Sequence, residues 1–188
     1  MISRARRRVT LGVVAGALGV AAVTGVTVTA ATSGSASAAE PTVALAAVAV
    51  KKNDLVDNPS LDIDAALKAA EATIKAAEKG GHRVTVVILD RSGNVQVQLK
   101  GDGAGPQTAE SAKRKAFTAV SFGQATSALA GRVDGQGATL RDIPGTLFLA
   151  GGVPVTVGGQ AIGAIGVGGA PSGDLDEQYA NAGAATLR

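Results

Sequence analysis

Two pairs of short β-rich segments, each pair joined by a few turn-forming residues, constrain the fold of this chain more than any other feature. Arg83 to Asp90 is β-branched and mostly apolar. Asn94 to Lys100 alternates, with Val95, Val97 and Leu99 on one face and Gln96, Gln98 and Lys100 on the other. The link between them, Asp90-Arg91-Ser92-Gly93-Asn94, has the chemistry of a turn. Further on, Val153 to Val157 and Ala161 to Val167 flank the turn pair Gly158-Gly159. Connections this short join antiparallel neighbours, because a parallel pair needs a crossover of a dozen or more residues. The expectation is an α+β fold. An antiparallel β-sheet built from hairpins carries helices packed on it, in place of a parallel Rossmann-like sheet.

Helical segments fill the spaces between. Ile63, Leu67, Ala70, Ile74 and Ala77 recur at three and four residues, which predicts one apolar helix face. Ser60 is the expected N-cap, Asp62 and Asp64 favour the positive helix end, Glu71 and Lys75 form an outer pair, and Gly80-Gly81 ends the helix. A second helix is expected over Thr108 to about Phe122, a short third one from Ala125-Thr126-Ser127 to near Gly131, and a last one over Asp174 to Leu187. With Leu147 to Ala150 read as a further strand, the order is α-β-β-α-α-β-β-β-α.

The front of the chain reads as an exporting leader. Arg4, Arg6, Arg7 and Arg8 precede an uncharged run from Val9 to Ala31, and Ala36-Ser37-Ala38 is a small-x-small cleavage box. The run also approaches the length of a membrane span, but its Gly and Thr content and the box favour cleavage. Arg7-Arg8-Val9-Thr10-Leu11 resembles a twin-arginine signal, although Thr10 stands where that signal prefers a large apolar residue, so both export routes stay open. The organisation is thus a signal peptide over 1–38, an N-terminal arm over 39–58 and a domain over 59–188. All four charged leader residues are Arg, so 14 of the 18 Lys and Arg remain in the mature chain against 15 Asp and Glu. That balance gives no footprint for nucleic acid.

Composition excludes several chemistries. There is no Cys, so neither a disulfide framework nor a thiolate site can form. The single His, His82, is the one imidazole for any Ser-His-Asp triad, and a zinc site on two His of one chain is impossible. Gly101-Asp102-Gly103-Ala104-Gly105 precedes a helix, but Pro106 stands where a dinucleotide fingerprint needs its last glycine. His82 reads as a surface residue and Tyr179, the one Tyr, as packing.

Two constellations remain. Thr108, Ser111, Lys115, Thr118 and Phe122 fall three and four apart, a polar stripe ending on an aromatic, where an ordinary solvated helix face is the plain alternative. Ala109, Ala112, Ala116, Ala119 and Gly123 form a small-residue surface suited to close packing. Asp174 and Glu177 stand at i,i+3, so both carboxylates can reach one hard cation, unless they only face the helix dipole.

Several blocks in order resemble the GlcG/HbpS-like haem-degrading domain family. They are Asp102-Gly103-Ala104-Gly105-Pro106, Lys115-Ala116-Phe117-Thr118-Ala119, Pro144-Gly145, Gly151-Gly152-Val153-Pro154-Val155, Gly159 to Val167, and the ending Asp176 to Leu187. The resemblance spans roughly Ser60 to Leu187. It implies a compact α+β protomer in a higher oligomer, an octamer. It also implies non-covalent b-type haem at a surface between protomers, with haem degradation and iron binding as associated activities. Secreted members with such a leader imply an accessory role beside a membrane sensor kinase in redox sensing.

The resemblance further implies a Thr hydroxyl at the haem iron, for which Thr118 is the best motif match and Thr108 the reserve. Lys113, Arg114 and Lys115 would pair with propionates, and Thr108, Ser111, Lys115 and Thr118 would line the ligand. Any haem breakdown is expected as coupled oxidation by the bound iron. The rival expectation is a regulatory interaction module without haem chemistry of its own. An enzyme on a small organic acid has no catalytic constellation in its favour.

Overall fold

The computed structural model describes residues 49–133 and 138–188. The leader lies outside the described residues, as does 39–48 of the arm. Residues 49–60 are exposed and carry a single 3-10 turn, Lys52–Asp54. The domain then runs α1 (Ile63–Lys79), β1 (Thr85–Asp90), β2 (Val95–Lys100), α2 (Thr108–Phe122), α3 (Thr126–Ala130), β3 (Gly152–Val157), β4 (Gln160–Gly168) and α4 (Gly173–Ala184). A 3-10 turn, Ala185–Leu187, follows α4.

The four strands form one sheet in the order β2-β1-β4-β3, with every neighbouring pair antiparallel. Both hairpins read from the sequence are present. The long connection from β2 through α2 and α3 returns the second hairpin to the free edge of β1, pairing Ile88 with Ile165. Strand alternation divides β1 between two cores. Val84, Val86 and Ile88 pack with the alanines of α1 and with Tyr179 and Ala180 of α4. Val87 and Leu89 pack on the other face against Ala112, Ala116, Ala119 and Val120 of α2. Helices therefore cover both faces of the sheet.

The small-residue face of α2 is consumed inside the chain. Ala112, Ala116 and Ala119 are fully buried against β4. A Cβ placed on Gly166 would collide with the Ala112 carbonyl oxygen and the Ala116 amide, so the helix backbone rests directly on bare strand. That face is not available to a second copy.

Three local expectations are corrected. The cap of α1 is Asp62, whose Oδ1 accepts from the amides of Asp64 and Ala65 at 2.9 and 3.3 Å; Ser60 instead accepts from Gln96. The buried face of α1 is Ala66, Ala69, Ala70, Thr73 and Ala77, while Ile63 and Leu67 are 56% and 41% exposed. Close approach is the reason: a Cβ on Gly183 of α4 would meet the Ala69 carbonyl oxygen at 2.6 Å, a separation that leaves room only for small residues. Leu147 to Ala150 is not a strand. Its Leu147 amide donates to the Thr118 hydroxyl of α2 at 2.7 Å, and Leu149 is exposed. A backbone group spent on a helix side chain is lost to a ladder.

Candidate functional site

The polar stripe of α2 is a buried seam. Thr108, Lys115 and Thr118 are 2%, 3% and 0% exposed, so neither a solvated face nor an open bed for a flat ligand runs along it. Thr108 donates to the Gly105 carbonyl at 2.7 Å and shares a 2.6 Å contact with the Thr85 hydroxyl of β1. Thr118 donates to the Arg114 carbonyl at 2.8 Å and accepts from Leu147 N. Its hydroxyl ties α2 to the 146–150 segment and is fully buried within this chain.

Lys115 is engaged still more firmly. Its Nζ lies 2.7 Å from Asp176 Oδ2 and 3.1 Å from the Val167 carbonyl oxygen, with both side chains 4% exposed. The pair joins α2, β4 and α4. Burial raises the Asp176 carboxyl above its ordinary value, against the Lys115 bond and charge and the Ala170 and Gly169 amides that lower it. Lys115 is thus spent on Asp176 rather than held out for a propionate. It lies at the wall of a pocket of about 490 Å³ between α2 and the start of α4, with Thr108, Ser111 and the 169–174 turn.

Lys113 and Arg114 lie elsewhere. With Glu110, Phe117, Gly93 and Gly145 they line a second pocket, of about 300 Å³. Arg114 Nη2 donates to the Thr146 carbonyl at 2.7 Å, which leaves the rest of its five-donor fork for another acceptor. Phe117 is half-buried between two loops of bare backbone. A Cβ on Gly93 would come within 3.1 Å of its ring and one on Gly145 within 3.5 Å. Both glycines have φ +83°, a conformation other residues rarely adopt. The result is an aromatic floor with two cations at its edge. Phe117 was missed by the stripe argument; its one trace in the sequence was its place in the family-like block Lys115-Ala116-Phe117-Thr118-Ala119.

Asp174 and Glu177 do share one shallow surface pocket, with Ser127, Gln178 and Asn181. Glu177, however, accepts from Ser127 Oγ at 2.5 Å, Ser127 N at 3.3 Å and Gly151 N at 3.2 Å. It serves as the cap that α3 lacks in its own sequence. Those donors take up much of the Glu177 carboxylate, and among the described residues no group of three or more His, Cys, Asp or Glu is placed to hold a metal. His82 bonds through Nδ1 to the hydroxyl of the buried Tyr179 at 2.6 Å, remote in sequence and joined by the fold.

An antiparallel sheet covered on both faces, with an aromatic floor, cations at its rim and a buried seam beneath, defines a small α+β domain with a candidate ligand face. The family model described as "Haem degrading protein HbpS-like" matches residues 61–185, and the chain belongs to that family. A double mutant of HbpS from Streptomyces reticuli is similar at 59% identity, over 77% of this chain and 99% of that one, with a TM-score of 0.73. The PduOC:heme complex is similar at 25% identity over 68% of this chain and 95% of that one, with a TM-score of 0.63. Klebsiella pneumoniae ORFY, at 24% identity over 74% and 97% and a TM-score of 0.64, shares the fold. No curated protein matches the chain.

Proposed function

We propose that this protein binds haem non-covalently on the outer face of α2, with the ring over Phe117 and the propionates toward Lys113 and Arg114. The observation that carries the reading is the glycine-flanked Phe117 ring with two cations at its edge. Family membership and the likeness to a haem complex support it. Ring burial and propionate pairing are then the protein's grip, so the haem stays exchangeable. A pocket of about 300 Å³ is at the small end for ligand sites, roughly 300–1,000 Å³. One chain therefore leaves part of the macrocycle uncovered, which favours a site completed by a second copy within an oligomer.

When bound, haem supplies redox-active iron, and any haem breakdown is that iron's own coupled oxidation. The residues of this chain orient and shield the ring. Iron handling follows the haem on this reading, since Glu177 is already committed as a cap. The leader and the family resemblance support secretion and a role as accessory to a membrane sensor kinase.

The test is haemin titration of paired variants at two salt concentrations. Lys113→Ala with Arg114→Ala should weaken binding about tenfold or more at low salt and flatten the salt dependence, because exposed charge pairs are screened. Phe117→Ala should weaken binding at both. Unchanged affinity in both variants would remove the site from α2.

A further inference from the structure

We infer that the 147–150 segment is an open seat for strand addition, on which a partner protein lays an extended peptide with an acidic residue toward Arg114 and Arg141 and a basic residue toward Asp174. The segment is strand-like in sequence, four apolar residues in a row, yet the fold gives it no strand neighbour. The Leu147 amide donates to the Thr118 hydroxyl. Beyond it, among the described residues, Phe148, Leu149 and Ala150 make no hydrogen bond through either backbone N–H or C=O. Phe148 is nevertheless only 7% exposed. Buried backbone groups are paired in more than about 90% of cases, so this residue lacks a partner that its own chain does not supply.

The unpaired groups say what kind of partner that is. An N–H and a C=O left free on one residue are matched together by one residue of an antiparallel strand, which exchanges both bonds with it. Adding a strand in this way is a recurring mode of recognising extended peptides, with main-chain bonds giving affinity and side-chain pockets giving specificity.

The pockets around the seat set the side chains. Leu149 lines two of them and so joins them. Toward Leu147 lies a pocket of about 310 Å³ formed with Arg114, Arg141, Thr146 and Phe148. Toward Ala150 lies the pocket of about 490 Å³, which brings the exposed Asp174. Leu149 is 58% exposed and offers an apolar surface for the peptide to cover. Cations at one end and a carboxylate at the other fix the direction. An antiparallel peptide reads basic, apolar, acidic from its N-terminus. Arg114 also lines the proposed haem face, so haem and peptide draw on one guanidinium, but the seat rests on 147–150 and not on that reading.

The probe is the pentapeptide Lys-Val-Thr-Val-Glu, blocked at both ends and added to the full chain. Binding should be saturable, and deuterium exchange of the Phe148 amide should slow at least about fivefold as that amide gains an acceptor. The same peptide methylated on its central nitrogen should bind about fivefold more weakly or worse, because one main-chain bond is lost. Glu-Val-Thr-Val-Lys, with the ends exchanged, should bind about threefold more weakly, the scale of exposed ion pairs, and Arg141→Glu should remove that preference. Equal binding of the methylated peptide, or no slowing at Phe148, would overturn the inference. So would a Phe148 amide already protected without peptide and exposed on dilution, since a second copy would then occupy the seat. Haemin affinity is measured separately, and loss of either binding leaves the other standing.

Discussion

Thr118 illustrates how a side chain can carry the right signature and a different task. Its place in a family-like block and in the polar stripe pointed to an iron ligand. In the fold it bonds Arg114 O and Leu147 N while fully buried. Thr118→Val should therefore cost about 1–3 kcal/mol in chemical denaturation, the desolvation cost of leaving the Leu147 amide unpaired. A loss below about 0.5 kcal/mol, in the range of a neutral surface change, would mean the bond contributes little. The Lys115–Asp176 pair makes a sharper case. Its partners stand 61 positions apart, so no local spacing could join them. Asp176→Leu should destabilise by about 3–5 kcal/mol because an ammonium is left buried and unpaired. The double change Lys115→Met with Asp176→Leu should recover most of that loss, and failure to recover it would assign the cost to packing. Lys115 was thus legible as a candidate, but Asp176 was not singled out and the pairing could not be read, since it is set by the return of α4 across β4.

Among the elements, the hairpins were legible because their information is local. Turn residues and alternation lie within one continuous stretch each, 85–100 for β1–β2 and 152–168 for β3–β4. The phase of α1 was not, because an Ala-rich helix offers two apolar faces and its neighbours choose. Tight packing against α4 selects the alanines and turns Ile63 and Leu67 outward. Leu147 to Ala150 misled for a related reason: four apolar residues fit a strand or a loop equally well, and length alone does not separate them. The α2–β4 contact is the element most exposed to test. Gly166→Ala should destabilise the protein by at least about 1–3 kcal/mol, as overpacking does, since backbone stands where the methyl would go. A fully stable Gly166→Ala protein would show that α2 can shift outward at little cost.

Across the whole chain, the proposal joins an exporting leader, expected from the sequence, to the haem-family domain, in a protein that would meet haem outside the cell. The sheet, its antiparallel sense and its helices followed from pattern. The position of the proposed haem face did not, because Gly93, Phe117 and Gly145 converge from three separate segments. Export predicts a mature chain beginning at or near Ala39 in culture supernatant, seen by intact mass; only full-length, membrane-bound protein would contradict it. Light scattering at micromolar concentration should give an oligomer, since on the proposed reading one chain leaves part of the macrocycle uncovered. The most direct measurement is an absorbance titration of haemin into the purified mature protein. The account predicts a saturable Soret change that fresh apo-protein can reverse by taking the haem away. A titration with no saturable change, indistinguishable from haemin in buffer, would contradict it.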